Sequence, residues 1–203
     1  MRGRNRGVPP FWTGGIAFVL LVGPLVSPAS ASTFAPKYRE ILAQFDIGVV
    51  HPSSDPKHAM DTGTGFGAQL GIALTPRITS GFFLDYQVLG STQSIVPPGR
   101  NVGDNNWTRY SGGAFGEFLL TETRLTPFIG GYVGVQGIHI SYANLYDTFE
   151  GQGDYGLGFG VASGLRYRMA QRVGTTLRVQ ADNSPKTNLG WFFEGRLGLT
   201  LFL

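Results

Sequence analysis

Phe193-Glu194-Gly195-Arg196-Leu197-Gly198-Leu199-Thr200-Leu201-Phe202-Leu203 has a period of two. Phe193, Gly195, Leu197, Leu199, Leu201 and Leu203 fall on one face, and Glu194, Arg196, Gly198, Thr200 and Phe202 on the other. Side chains alternate sides along a β-strand, so this is a strand with one apolar face. That face suits lipid, with the polar face toward a lumen. It also suits the core of a soluble sandwich, so this segment alone leaves both open.

The pattern recurs upstream. Phe66, Ala68, Leu70, Ile72 and Leu74 alternate with Gly67, Gln69, Gly71 and Ala73. Phe82, Leu84, Tyr86 and Val88 alternate with Gly81, Phe83, Asp85 and Gln87. Tyr110, Gly112, Ala114, Gly116 and Phe118 alternate with Ser111, Gly113, Phe115 and Glu117. Further segments set Leu157, Phe159, Val161, Leu165 and Tyr167 against Gly156 to Arg168, and Leu177 and Val179 against Arg178, Gln180 and Asp182. Phe45, Ile47 and Val49, and Ile129, Val133 and Val135, complete about eight segments of the length that a tilted membrane strand needs.

The connections separate the two readings. Short turns are expected at Thr75 to Arg77, Thr121 to Pro127 and Ala170 to Arg172. Long polar loops are expected at Pro52 to Thr62, Gly90 to Asn106, Ser141 to Asp154 and Asn183 to Gly190. Short turns at one end and long loops at the other mark an outer-membrane barrel, with periplasmic turns and extracellular loops. The fold expected is therefore all-β: an eight-stranded antiparallel up-and-down transmembrane barrel.

The N-terminus reads as an export segment. Arg2, Arg4 and Arg6 precede the apolar run Ile16 to Val22, and Ala29-Ser30-Ala31 is a small-x-small site. A signal peptide over 1–31, cleaved after Ala31, is expected, with the barrel domain over 32–203. The run is too short, and too soon broken by Gly23 and Pro24, for a transmembrane helix. Lys and Arg total 16 and Asp and Glu 13. Setting aside the three leader arginines leaves a formally neutral chain, which gives no footing to nucleic-acid binding. No cysteine is present, which excludes disulfides, thiol catalysis and cysteine-bound zinc.

By parity, Asp46, Asp85, Glu117, Arg166, Arg168, Arg178, Asp182, Glu194 and Arg196 face the lumen. Buried charges persist when paired and hydrogen-bonded. An eight-stranded barrel is just wide enough for side chains to fill. A polar plug is therefore expected, centred on Arg178. If the last hairpin turns near Thr187, Arg178 lies level with Arg196, with Glu194 diagonal to it. Glu194, Asp85 and Glu117 are the candidate acids. An aromatic girdle is expected from Trp107, Tyr155 and Trp191 at the loop end and from Phe118, Phe128 and Tyr167 at the turn end.

Reactive motifs are mostly absent. No P-loop, H-E-x-x-H or G-x-S-x-G occurs. Gly63, Gly65 and Gly67, and Gly156, Gly158 and Gly160, are spaced by two, which keeps one strand face small and builds no phosphate loop. His51 and His58 lie near Ser53, Ser54, Asp55 and Asp61, but no complete catalytic set is legible. No enzyme activity, metal or cofactor is expected, and an outer-membrane lipid-modifying enzyme is the least favoured of the alternatives.

The signal peptide, the alternating strands, Gly-rich stretches such as Pro127-Phe128-Ile129-Gly130-Gly131-Tyr132-Val133-Gly134 and the final amphipathic strand together resemble small outer-membrane barrels of the OmpA/OmpX/OmpW type. The resemblance spans Ser32 to Leu203. It implies integral residence in the outer membrane, contact with its lipid and lipopolysaccharide, and insertion by the barrel-assembly machinery. Such families end on an aromatic residue, whereas the sequence here reads Leu201-Phe202-Leu203. Lipid A deacylase-like barrels carry a His-x-Ser-Asn motif where this chain has Gln180-Ala181-Asp182-Asn183-Ser184, without the histidine. The resemblance leaves two roles: a structural or surface-interaction barrel acting through its extracellular loops, or a narrow channel for small solutes.

Overall fold

The computed structural model describes residues 36–53, 61–90, 106–143, 148–150, 154–183 and 190–203. The expected signal peptide lies outside them, as do most of the long loops. Among the described residues no helix is long and apolar enough to cross a membrane. The described residues form nine strands: β1 (Ile41–Pro52), β2 (Gly63–Ala73), β3 (Ile78–Leu89), β4 (Asn106–Leu119), β5 (Leu125–Ala143), β6 (Thr148–Glu150), β7 (Asp154–Arg168), β8 (Val173–Asn183) and β9 (Trp191–Phe202). Every neighbouring pair is antiparallel, and β4–β5 and β1–β9 pairing makes the sheet a closed ring. The ring has eight strands, because β6 only extends the far end of β5 through Ser141 to Ala143. Closure leaves the barrel without a free edge, so every strand can pair on both sides.

Sequence and turn chemistry agree at the short connections. Thr75 Oγ1 accepts hydrogen bonds from the backbone N–H of Arg77 and Ile78 at 3.2 and 3.0 Å. This is the local side-chain bonding that favours turns. The β4–β5 connection is shorter than expected, because β5 already starts at Leu125. Pro127 sits within the strand and pairs with Leu165, while its carbonyl accepts Leu120 N–H at 2.8 Å. Pro is tolerated near a strand start, where it forfeits little of the ladder. The β1–β9 seam is latched by reciprocal bonds between the backbones of Ile41 and Leu203.

Alternation sets what faces where. On β9, even-numbered residues from Phe192 to Phe202 are buried and odd-numbered ones are mostly exposed. A one-residue slip would put Glu194 and Arg196 outside, so the pattern fixes the register. The two ends of the interior are apolar. Val50, Leu89, Trp107, Ile138 and Phe192 cluster inside the loop end, and Leu42, Ala73 and Phe202 inside the turn end. Buried polar and charged residues lie between them, together with Phe83 and Phe115.

Candidate functional site

The usual burial order is inverted. Phe82 and Leu157 are 72% and 71% exposed, whereas Arg109 and Arg196 are 1% and 2% exposed. Ile47, Leu84, Val161 and Leu197 are likewise outward and open. Contiguous apolar surface of this extent is not left to water in a soluble monomer. It fits a lipid-facing wall, with polar side chains kept within. The candidate site is therefore the lumen.

Near the loop end the lumen holds one connected network, with Arg196 of β9 as its hub. Its Nε donates to Glu194 Oε2 at 2.7 Å, and its Nη2 lies 2.5 Å from the same oxygen. Its Nη1 donates to Asp46 Oδ1 at 2.8 Å and also to Asp85. Gln44 and Ser111 donate to the second oxygens of those two aspartates at 3.2 and 3.5 Å. Arg109 of β4 bonds to Gln87 Oε1 at 2.9 Å, Glu194 Oε1 at 3.1 Å and Asp182. Gln87 and Tyr132 complete the set, donating to Glu194 at 2.7 Å and Asp182 at 2.9 Å. Arg109 also lies over the Phe192 ring, 4.3 Å from its centroid, so the network is capped by the apolar cluster above it.

A second network lies closer to the turns. Glu117 takes Arg166 on one oxygen at 2.7 Å and Arg178 on the other at 2.5 Å. Arg178 Nη2 also reaches Gln69 Oε1 at 2.7 Å. Both guanidiniums lie over the Phe128 ring, at 5.4 and 5.6 Å. At the rim Arg168 grips Glu40 through two bonds, at 3.1 and 2.7 Å, and lies 3.9 Å from the Phe202 centroid.

These networks need room, and the alternate glycines supply it. A methyl group on Gly67 would run into Arg196, Asp85 and Asp46. Substituents on Gly158 and Gly160 would meet Gln136 and Tyr132. All three glycines are buried on strands. None belongs to a strand-to-helix phosphate loop.

The nine lumen charges expected from parity all lie inside and buried. Arg178 is level with Arg196 in the β8–β9 ladder. Of the three candidate acids its partner is Glu117, while the diagonal Glu194 serves Arg196 and Arg109. Long side chains reach across the lumen here rather than along their own hairpin. The hub is accordingly Arg196, where the sequence pointed to Arg178. Arg109 is absent from the expected set, although the loop expected to end at Asn106 leaves it in the strand: the alternation is read only from Tyr110 onward. β4 begins at Asn106, and Arg109 shares the parity of Ser111 and Glu117.

Two of the expected girdle residues point the wrong way for that role. Trp107 and Phe128 are buried in the lumen, on the inward parity of β4 and β5. Tyr155, Trp191, Phe118 and Tyr167 do face outward. Tyr110 and Tyr155 meet edge to face at 5.6 Å, Phe66 stacks on Tyr86 at 5.1 Å, and Phe159 meets Trp191 at 6.1 Å. Of the polar residues around the first long loop, His51 and Ser53 are held by other partners. His51 Nδ1 is 2.8 Å from Thr62 Oγ1, and Ser53 Oγ accepts the Trp191 N–H at 2.8 Å. Ser54, Asp55 and His58 lie outside the described residues.

Solved structures share this architecture. Neisserial surface protein A superposes with a TM-score of 0.60 at 17% identity, over 80% of this chain and 97% of that one. The fold is that of the small outer-membrane β-barrels. OprG from Pseudomonas aeruginosa superposes with a TM-score of 0.54 at 9% identity, over 83% of this chain and 95% of that one. No family model and no curated protein matches the sequence. The closed ring and the apolar outer wall together make the chain an integral membrane barrel of the bacterial outer-membrane type.

Proposed function

We propose that this chain serves the bacterial outer membrane as a closed, rigid barrel, with its contacts to other surfaces made by the long loops and not by passage through the lumen. One observation supports this reading: paired, buried charges lie in the lumen between apolar clusters at its two ends. An ion crossing it would have to leave water at each cluster and then displace a bonded partner. Apolar constrictions exclude water and charge, and buried ion pairs are costly to break. The wall would meet outer-membrane lipid and lipopolysaccharide. Tyr155 and Trp191 would sit at the loop-side interface beside Tyr86 and Tyr110, and Phe118 and Tyr167 at the other. Insertion would rely on the barrel-assembly machinery.

The test is a planar-bilayer recording of the purified, folded barrel. No resolvable conductance steps are expected from the unaltered protein at any holding potential that the membrane survives. Steady steps that scale with salt concentration would overturn the closed-lumen reading and favour a narrow channel.

A further inference from the structure

The exposed basic residues in the described part of the barrel gather at its turn end: Lys37, Arg39, Arg77, Arg124 and Arg172. Four are arginines, one on each of the three short connections at that rim and one on the segment before β1. Arg39 precedes β1, Arg77 joins β2 to β3, Arg124 joins β4 to β5, and Arg172 joins β7 to β8. Each is fixed by its own backbone to a neighbouring strand end. Arg39 N–H donates to Ala73 O at 2.8 Å. The carbonyls of Arg77, Arg124 and Arg172 accept from Leu119, Arg168 and Phe202 at 2.7, 2.9 and 2.9 Å. The acids at this rim are few. Glu40 is taken by Arg168, and Glu122 by Arg77 in an exposed pair, which is weak. In sequence, the long connections carry the opposite excess, since Lys57, Arg100 and Lys186 are outnumbered there by acids.

Exposed apolar residues lie directly beside these arginines. Tyr38 precedes Arg39, Ile78 follows Arg77, and Leu125 follows Arg124. The guanidinium of Arg39 lies 5.1 Å from the Tyr38 ring centroid. Such neighbours place the hydrocarbon edge one residue from Arg39, Arg77 and Arg124, which is headgroup depth. Arg39 also has a backbone φ of 66°, a left-handed conformation that glycine or asparagine adopts more easily. An arginine kept there at a conformational cost points to a use for its side chain.

We propose that these four arginines form a crown that binds anionic phospholipid headgroups in the leaflet at the turn end. Guanidinium matches phosphate in charge and in bidentate geometry. The proposal rests on the lipid-facing reading of the outer wall. It adds a polarity to the barrel: one rim held by phosphate, the other carrying the acidic loops.

The test compares the folded barrel in phosphatidylcholine vesicles with and without phosphatidylglycerol, reading the unfolding midpoint from the gel shift of boiled and unboiled samples. Phosphatidylglycerol should raise the midpoint by several degrees, and high salt should remove most of the gain. The variant R39Q/R77Q/R124Q/R172Q should insert but lose the gain. The loop variant K57Q/R100Q/K186Q should keep it. Should the quadruple variant fail to fold, R39Q/R77Q and R124Q/R172Q should each lose about half of it, if the contributions add. Inorganic phosphate added to phosphatidylcholine vesicles should not reproduce the gain. No gain in the unaltered protein, an undiminished gain in the arginine variants, or full stabilisation by free phosphate would each overturn the crown. Failure of the unaltered barrel to insert into either vesicle would instead overturn the membrane reading beneath it.

Discussion

Arg196→Met is expected to lower the stability of the folded barrel by about 3–5 kcal/mol, the usual cost of removing one partner from a buried ion pair. Methionine keeps much of the volume, so the loss reports charge and hydrogen bonding more than a cavity. Arg196 contacts Asp46, Asp85 and Glu194, whereas Arg109 is paired with Asp182 and Glu194, so removing Arg196 takes from Asp46 and Asp85 the guanidinium that they share. Arg178→Met should cost less, because Glu117 would keep Arg166. Denaturant titration of the gel-shifted folded form, in detergent or vesicles, measures both. Asp85→Asn placed on top of Arg196→Met should recover part of the loss, since it removes a charge that has lost its partner. A lumen filled with water would screen these groups, and Arg196→Met would then be nearly silent.

Leu197→Arg is expected to cost about 2–4 kcal/mol or to block insertion, the penalty for a cation on the lipid face near the bilayer midplane. Leu197 lies near the middle of β9, points outward and is well exposed. The penalty should fall toward about 0–1 kcal/mol for Leu203→Arg, at the rim where arginines already stand. Leu197→Ala should be mild, because an exposed leucine in lipid fills no core. The measurement is the yield of heat-resistant folded form in vesicles, followed by denaturant unfolding. Equal tolerance of arginine at both positions would mean that this face does not lie in hydrocarbon.

Most of the architecture was legible because the period of two is a local property. Phe193 to Leu203 shows it unaided, and the hairpin centred near Thr187 places Arg178 opposite Arg196, as the β8–β9 ladder has it. Pairings across the lumen were not legible in this way. Which acid meets Arg178 depends on barrel geometry and on the glycines that open space. Glu117 comes from β4, far from the β8–β9 hairpin in the ring. Trp107 and Phe128 were misplaced for another reason: both were judged by nearness to a loop or turn, while their parity already pointed inward. Arg109 escapes the sequence for a different reason: the clean alternation starts only at Tyr110, although the strand itself runs from Asn106 and gives Arg109 the inward parity of Ser111. Thr200 lies inside, as its parity requires. Its hydroxyl sits 2.9 Å from that of Thr176 and donates to Gln44 at 3.3 Å. The local room that an inward arginine would need there is already filled.

The absence of cysteine allows one decisive measurement. Single cysteines placed in turn at each position from 192 to 202 can carry a nitroxide spin label in the barrel reconstituted into lipid. Collision rates are then read with oxygen, which concentrates in hydrocarbon, and with a water-soluble nickel chelate. Labels at 193, 195, 197, 199 and 201 are expected to show high oxygen and low nickel access, and labels at the even positions between them low access to both. Nickel access at the even positions would contradict the closed lumen, and loss of the alternation would contradict the barrel wall itself.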